Sequence, residues 1–528
     1  MPFAALALLA SCSNDNQDAP ASKPQPLDSE AYLAVSIAMP SNAAGRAESL
    51  GNGTAEEYAV FDGTIYIFSK TGSSEDEYTY VTKGTIDPMA WSQANPDGSM
   101  VTTSSKLAVA TISASDAQNL DLVNGNYAAL VILNKNKLGE PSTTFGAWKE
   151  TTYEESATNN IKGDATNGFT MTNAPQYAQL TGDAGPIVHT LVDLDKGKIS
   201  TVANANLEPA AEVYVQRIAA KIELKTVTGK SFKAFNVEIP SGSTQTTPDQ
   251  VVFSHWGLTY YNTNTFPVQR IEPYSGTWLL DGGTQVGRFI SSNVDFKRVY
   301  WGVDPNYSST DSYQTYPLTK GDATVDLYDQ STEEELAHID YCLENTMEYD
   351  QMEKAKTTAV ILKGVYNLGG KAANLSFVAT KTWRSTLPNG LSWKDETTGQ
   401  SQVNLTSLFN EEASVVLAAF GLQQDLKVDF YAKGVVYYAA QIRHFDNTET
   451  PRPQPMESLS SYSYQHRGRY GVLRNNWYEV NIEKINGLGE PTIPTPDPGD
   501  PDDPTDDLYM TVTINILSWA KRSNNYEL

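Results

Sequence analysis

The chain has 528 residues, 40% of them apolar and 10% aromatic, enough for roughly two to four domains built round real cores. Its formal net charge of −25 and pI near 4.6 speak against nucleic acid, whose phosphates demand a basic face. Two cysteines, Cys12 and Cys342, cannot make a disulfide framework, and no later apolar run approaches the about 20 residues that span a bilayer.

The chain opens MPFAALALLASC. An apolar run from Phe3 to Ala10 followed by small residues is an export pattern, although no Lys or Arg precedes it. Leu9-Ala10-Ser11-Cys12 resembles the bacterial lipobox. That resemblance implies a signal peptide over 1–11 and a precursor held at the outer membrane by lipid on Cys12. The other reading of Cys12 is a lone buried cysteine. Residues 13–31 are polar and Pro-rich and read as a flexible tether.

Residues 32–39 alternate, with Leu33, Val35, Ile37 and Met39 on one face, which predicts a strand. Pro40 stops it, and a small, polar stretch comes next that reads as an exposed loop. Arg46 lies in that loop between Gly45 and Ala47, and it is the only arginine before Arg217. An exposed arginine among small residues suits an arginine-specific protease cutting between Arg46 and Ala47. On the loop alone it also reads as an ordinary surface arginine.

From Tyr58 to about Pro209 the pattern is short strands and loops, with 126–133 as an apolar run suited to a buried strand. A second block of short strands runs from Glu212 to Ile485. Abundant tyrosine, with 29 residues, and frequent Thr, Val and Ile favour β structure. The expected fold is all-β, with a β-sandwich over 47–210 and another over 211–490.

Residues 491–508 hold six prolines and six aspartates and read as an extended spacer that builds no core. Beyond it, 509–528 open with a strand whose Met510, Val512, Ile514 and Ile516 share one apolar face. A strand on such a leash can bind away from its own domain, or simply return to its own sandwich.

The motifs of catalysis are missing. The five histidines are scattered and none stands in H-E-x-x-H, and neither G-x-S-x-G nor a phosphate-binding G-x-x-x-x-G-K loop occurs. Asp193-Leu-Asp195-Lys-Gly197 lacks the ligands of a calcium loop and reads as a polar turn. Cys342 reads as a small buried residue. No cofactor, metal or enzymatic activity is expected.

Several segments, in this order, resemble the fimbrillin superfamily of Bacteroidales, and most closely its Mfa-type major subunits. They are Cys12, Gly45-Arg46-Ala47, residues 216–222, residues 341–346, residues 434–438, residues 473–482, the Pro/Asp spacer and the final tail. The resemblance implies two transthyretin-like β-sandwich domains in tandem. It implies a propeptide, residues 12–46, whose strand fills a groove in its own N-terminal domain until an arginine-specific protease cuts after Arg46. The opened groove then accepts the tail strand of the next subunit, so the two end strands compete for one kind of groove. The implied partners are other copies of the chain, accessory and anchor subunits, and host or bacterial surface ligands. The implied place is a cell-surface fimbria, and the implied role is a stalk subunit. The alternatives are a tip or accessory adhesin of the same system, or a surface glycan-binding lipoprotein.

Overall fold

The computed structural model describes residues 27–38, 49–50, 54–88, 92–94, 100–102, 105–177, 188–203, 208–237, 246–271, 280–281, 284–285, 289, 299, 301–307, 316, 318–329, 331–369, 373–379, 392–394, 429–454, 458–497, 499–502 and 510–518. Of the residues singled out above, Cys12, Met39, Arg46 and Ala47 lie outside these, as does the side chain of Ile516. The described residues are all-β, and the longest helix among them has five residues.

The first half of the chain supplies β1 (Ala31–Ala38), β2 (Ser49–Leu50), α1 (Ala55–Tyr58), β3 (Gly63–Ser69), β4 (Thr79–Ile86), β5 (Ser105–Ile112), β6 (Tyr127–Leu133), β7 (Met171–Asn173), β8 (Val192–Leu194) and β9 (Pro209–Arg217). Eight of these strands form one sheet in the order β7-β9-β1-β5-β4-β3-β6-β8. Only two residue pairs join β4 to β5, Thr85 to Thr111 and Ile86 to Ala110. Two more join β6 to β7, Met171 to Leu133 and Thr172 to Ile132. The sheet bends at these two corners into facing layers, which enclose one core.

The apolar run of β6 shows why that strand is apolar throughout. Strand side chains alternate between faces. Tyr127, Ala129, Val131 and Leu133 enter the first core. Ala128, Leu130 and Ile132 enter another, which also takes in Ile218, Val268 and Leu343 from later in the chain. Both faces of β6 are therefore buried.

The second half supplies β10 (Ala219–Thr226), β11 (Phe235–Asn236), β12 (Gln250–Thr259), β13 (Ile339–Leu343), β14 (Ala359–Asn367), β15 (Val435–Gln441), β16 (Asn476–Ile485) and β17 (Met510–Ser518). One sheet runs β2-β17-β16-β10-β13 and the facing one β11-β12-β14-β15. Between them lie Ile222, Phe253, Trp256, Leu362, Tyr438, Val480 and Ile482, all buried. The chain passes from the first sheet to the second at Ile218, because β9 still pairs with β1 and β7 while β10 pairs with β13 and β16. That crossing falls beyond the 210/211 boundary expected from sequence. The strand pattern runs almost unbroken through Ile218, so nothing in it announces the change of sheet.

Candidate functional site: a filled groove and a tail strand

The groove is built from β5 and β9, and β1 lies between them. Strand β1 runs antiparallel to β5, with eight residues in register from Ala31 opposite Ile112 to Ala38 opposite Ser105. It runs parallel to β9 over five residue pairs, from Ala34 opposite Pro209 to Ala38 opposite Tyr214. It is thus an interior strand of the layer β7-β9-β1-β5. Without it, that layer separates into β5 on one side and the β7–β9 pair on the other.

The side chains explain the fit. Leu33, Val35 and Ile37 are fully buried in the first core. Leu33 lies opposite Ala110, and Val35 opposite Ala108 on one side and Ala211 on the other. Alanine walls leave room for the large, branched residues of the inserted strand, so the interface is filled without overpacking. On the other face Ala34 is also fully buried, while Leu107 and Val109 of β5 are about half exposed. A backbone bridge to Ser200 holds the start of the strand, with Tyr32 and Ser200 exchanging hydrogen bonds of 2.7 and 2.8 Å.

At the other end of the chain, β17 pairs antiparallel with β16, and among the described residues its far edge carries only the two-residue β2, in parallel. The tail has therefore returned to the C-terminal sheet, which is one of the two possibilities that sequence leaves open. Its seat is looser than that of β1. Ile514 is 8% exposed, and Met510 and Val512 are only partly buried. A cavity of about 920 Å³ adjoins them, bounded also by Ile361, Tyr437 and the segment 492–497.

A buried polar network ties the two halves together. Glu57, in the single-turn α1, and Lys221 form an ion pair at 2.8 Å, with side chains 1% and 2% exposed. The Tyr341 hydroxyl donates to the same carboxylate oxygen at 2.7 Å, and Thr54 N–H to the other at 3.3 Å. Arg217 donates to the Glu57 carbonyl at 2.8 and 3.1 Å, and its backbone N–H donates to the Asn475 side chain at 3.1 Å. Lys221 also sits 3.7 Å from the centre of the Trp477 ring. Burial lowers the pKa of Arg217; burial and the neighbouring Glu57 raise that of Tyr341. A second pair, Arg474 with Glu344 at 3.0 Å, is buried as completely. Sequence singles out Arg217, Lys221, Tyr341, Glu344, Arg474 and Asn475 only as motif residues, and it misses Glu57. The signal for Glu57 is weak, a threonine three residues ahead of it as in a helix capping box.

The remaining candidates have structural places. Cys342 is buried in the core between the two C-terminal sheets, where burial pushes its thiol pKa up. Asp193 pairs with Lys70, and Asp195 caps the next turn by accepting from Gly197 N–H at 2.9 Å. Among the described residues no group of three or more His, Cys, Asp or Glu is placed to hold a metal.

The molecule is thus an all-β protein with one strand drawn from its N-terminal end and another from its C-terminal end. Residues 429–525, which include β15, β16 and β17, match the family described as "Major fimbrial subunit protein type IV, Fimbrillin, C-terminal". The likeness to fimbrillins in sequence is thus a likeness of this C-terminal region. No curated protein matches the chain. Among solved structures it is similar to a fimbrilin, FimA, from Porphyromonas gingivalis W83, at 12% identity and a TM-score of 0.38, covering 93% of this chain and 99% of that one. It is also similar to the C-terminally truncated tip fimbrial protein Mfa3 from Porphyromonas gingivalis, at 11% identity and 0.32, covering 93% and 100%. A third similar structure is a fimbrial assembly protein from Parabacteroides distasonis ATCC 8503, at 9% and 0.29, covering 86% and 91%.

Proposed function

We propose that the chain is the stalk subunit of a cell-surface fimbria, exported as a lipoprotein on Cys12, cut after Arg46 and polymerised by donor-strand exchange. The observation that carries this reading is the contrast between the two strand seats. Strand β1 occupies a closed groove whose loss would divide a layer of the first core. Strand β17 has a similar apolar face but an underfilled seat at the rim of its own sheet.

The energetics run in the required direction. Fully burying Leu33, Val35 and Ile37 contributes roughly 5–9 kcal/mol before entropy costs. An emptied groove exposes that apolar surface and two unpaired strand edges, which is costly and prone to aggregation. A tail strand from another copy restores both the main-chain hydrogen bonds and the side-chain contacts. The propeptide must therefore stay in place until assembly, and a cut in the segment that joins it to the body releases it.

Electron microscopy of purified protein treated with an arginine-specific protease tests this. Wild-type chain should form filaments. Arg46→Ala should remain monomeric with an intact N-terminus, and a chain lacking residues 509–528 should be cut but not polymerise. Filaments from either variant would sink the mechanism.

A further inference from the structure

Composition marks the Pro/Asp segment before β17 as a solvated spacer, yet much of it is docked. Gly489 approaches β15 so closely that a Cβ there would lie 2.4 Å from the Tyr437 carbonyl oxygen. Glu490 and Tyr437 then exchange two backbone hydrogen bonds, at 2.7 and 2.9 Å. Farther on, Lys354 N–H donates to the Asp500 carbonyl at 3.0 Å, and Asp502 N–H to the Met352 carbonyl at 3.1 Å. The Thr357 hydroxyl donates to the Asp502 carboxylate, and Asp502 is 1% exposed. The prolines assist, because a chain already restricted before docking loses less entropy on docking.

We propose that Asp502 is the pivot of the tail. When β17 leaves its own sheet for a second copy of this chain, residues 490–502 stay docked on the donor subunit, along Tyr437 and 352–357. Only the chain beyond Asp502 moves. This inference rests on the donor-strand reading and adds to it the surface that sets the leash. The contrast in anchoring supports it: the pivot is a buried, hydrogen-bonded carboxylate, whereas β17 borders a cavity and has partly buried side chains. Eight Cα steps separate Asp502 from Met510, a reach of roughly 25–30 Å when extended. Twenty steps separate Glu490 from Met510, roughly 65–70 Å. A pinned strap therefore demands that the accepting groove lie close beside the donor, where a short leash also raises the effective concentration of the strand.

Two measurements decide it. Hydrogen exchange on the uncut full chain should show the amides of Glu490 and Asp502 exchanging at least tenfold more slowly than those of Val512 and Ile514. Tail amides that outlast the strap amides overturn the pivot. In protease-cut protein, deleting residues 503–506 should abolish filaments, because the shortened leash cannot reach. Adding Thr357→Val and Asp502→Ala to the shortened chain should restore them by freeing the strap, with melting curves confirming that each variant is folded. Filaments from the shortened chain alone, or no rescue by unpinning, also overturn it. A full-length cut chain that never forms filaments sinks the donor-strand reading instead, and the order of exchange still decides the pivot.

Discussion

Single residues at the junction between the two halves carry large energies because they are charged and dry. Glu57 and Lys221 have lost their water, and their charges are offset by each other and by partners that include Tyr341, Thr54 and the Trp477 ring. Removing one member of such a pair leaves a buried charge uncompensated, at a cost of about 3–5 kcal/mol, whereas replacing both with apolar residues is often nearly neutral. Glu57→Ala should therefore lower stability by about that amount in urea unfolding, and Glu57→Leu with Lys221→Met by clearly less. Asp304 makes a different prediction. It is buried beside Glu344, and burial pushes its pKa up to about 7, against the opposing pull of hydrogen bonds from the backbone N–H groups of Thr346 and Asn306. Its folded-state value lies above its ordinary value of 3.8, so the folded chain holds this proton more tightly than the unfolded chain does. Its contribution to stability is full below pH 4, declines as pH rises, and is gone above about 7, a change on the order of 4 kcal/mol. Asp304→Asn should flatten that decline between pH 5 and pH 8 in unfolding midpoints; equal slopes for the two proteins would refute the assignment.

At the scale of elements, the groove works through small residues facing large ones. Ala108 and Ala110 on β5 stand opposite Val35 and Leu33. Enlarging the wall should exclude any inserted strand while leaving the rest of the core in place. Ala110→Leu should cost about 1–3 kcal/mol in the uncut chain by overpacking. In the cut chain it should prevent filament growth while the variant's own tail remains competent to enter wild-type grooves, which mixing experiments followed by electron microscopy can measure. The period-two face of β1 was legible in the sequence because one side of the strand is wholly buried. That its other side includes a buried Ala34 was not, since alanine carries no sign of which face it belongs to. The tail strand was legible in the same way, but its seat was not. An apolar face states that a strand must be covered, and several sheet edges answer that need equally well.

For the whole molecule, the all-β character came from composition and the spacing of turns. The arrangement that joins the halves did not, because it depends on residues far apart in the chain. Glu57 reads as an ordinary helix carboxylate, and its partner Lys221 lies 164 residues away. The docking of the Pro/Asp segment was hidden for another reason. Its anchors include backbone hydrogen bonds to Met352 and Lys354, with Glu490 just before it bonded to Tyr437, and no residue type advertises these. The enclosure of β1 at both edges also has a mechanical consequence. Tension along its axis loads the hydrogen bonds spread over eight residue pairs with β5 and five with β9 together, in shear. An edge strand under the same load is held by one such ladder instead of two. A guest strand seated as β1 is would make each joint of a filament strongest along the direction in which flowing liquid pulls it.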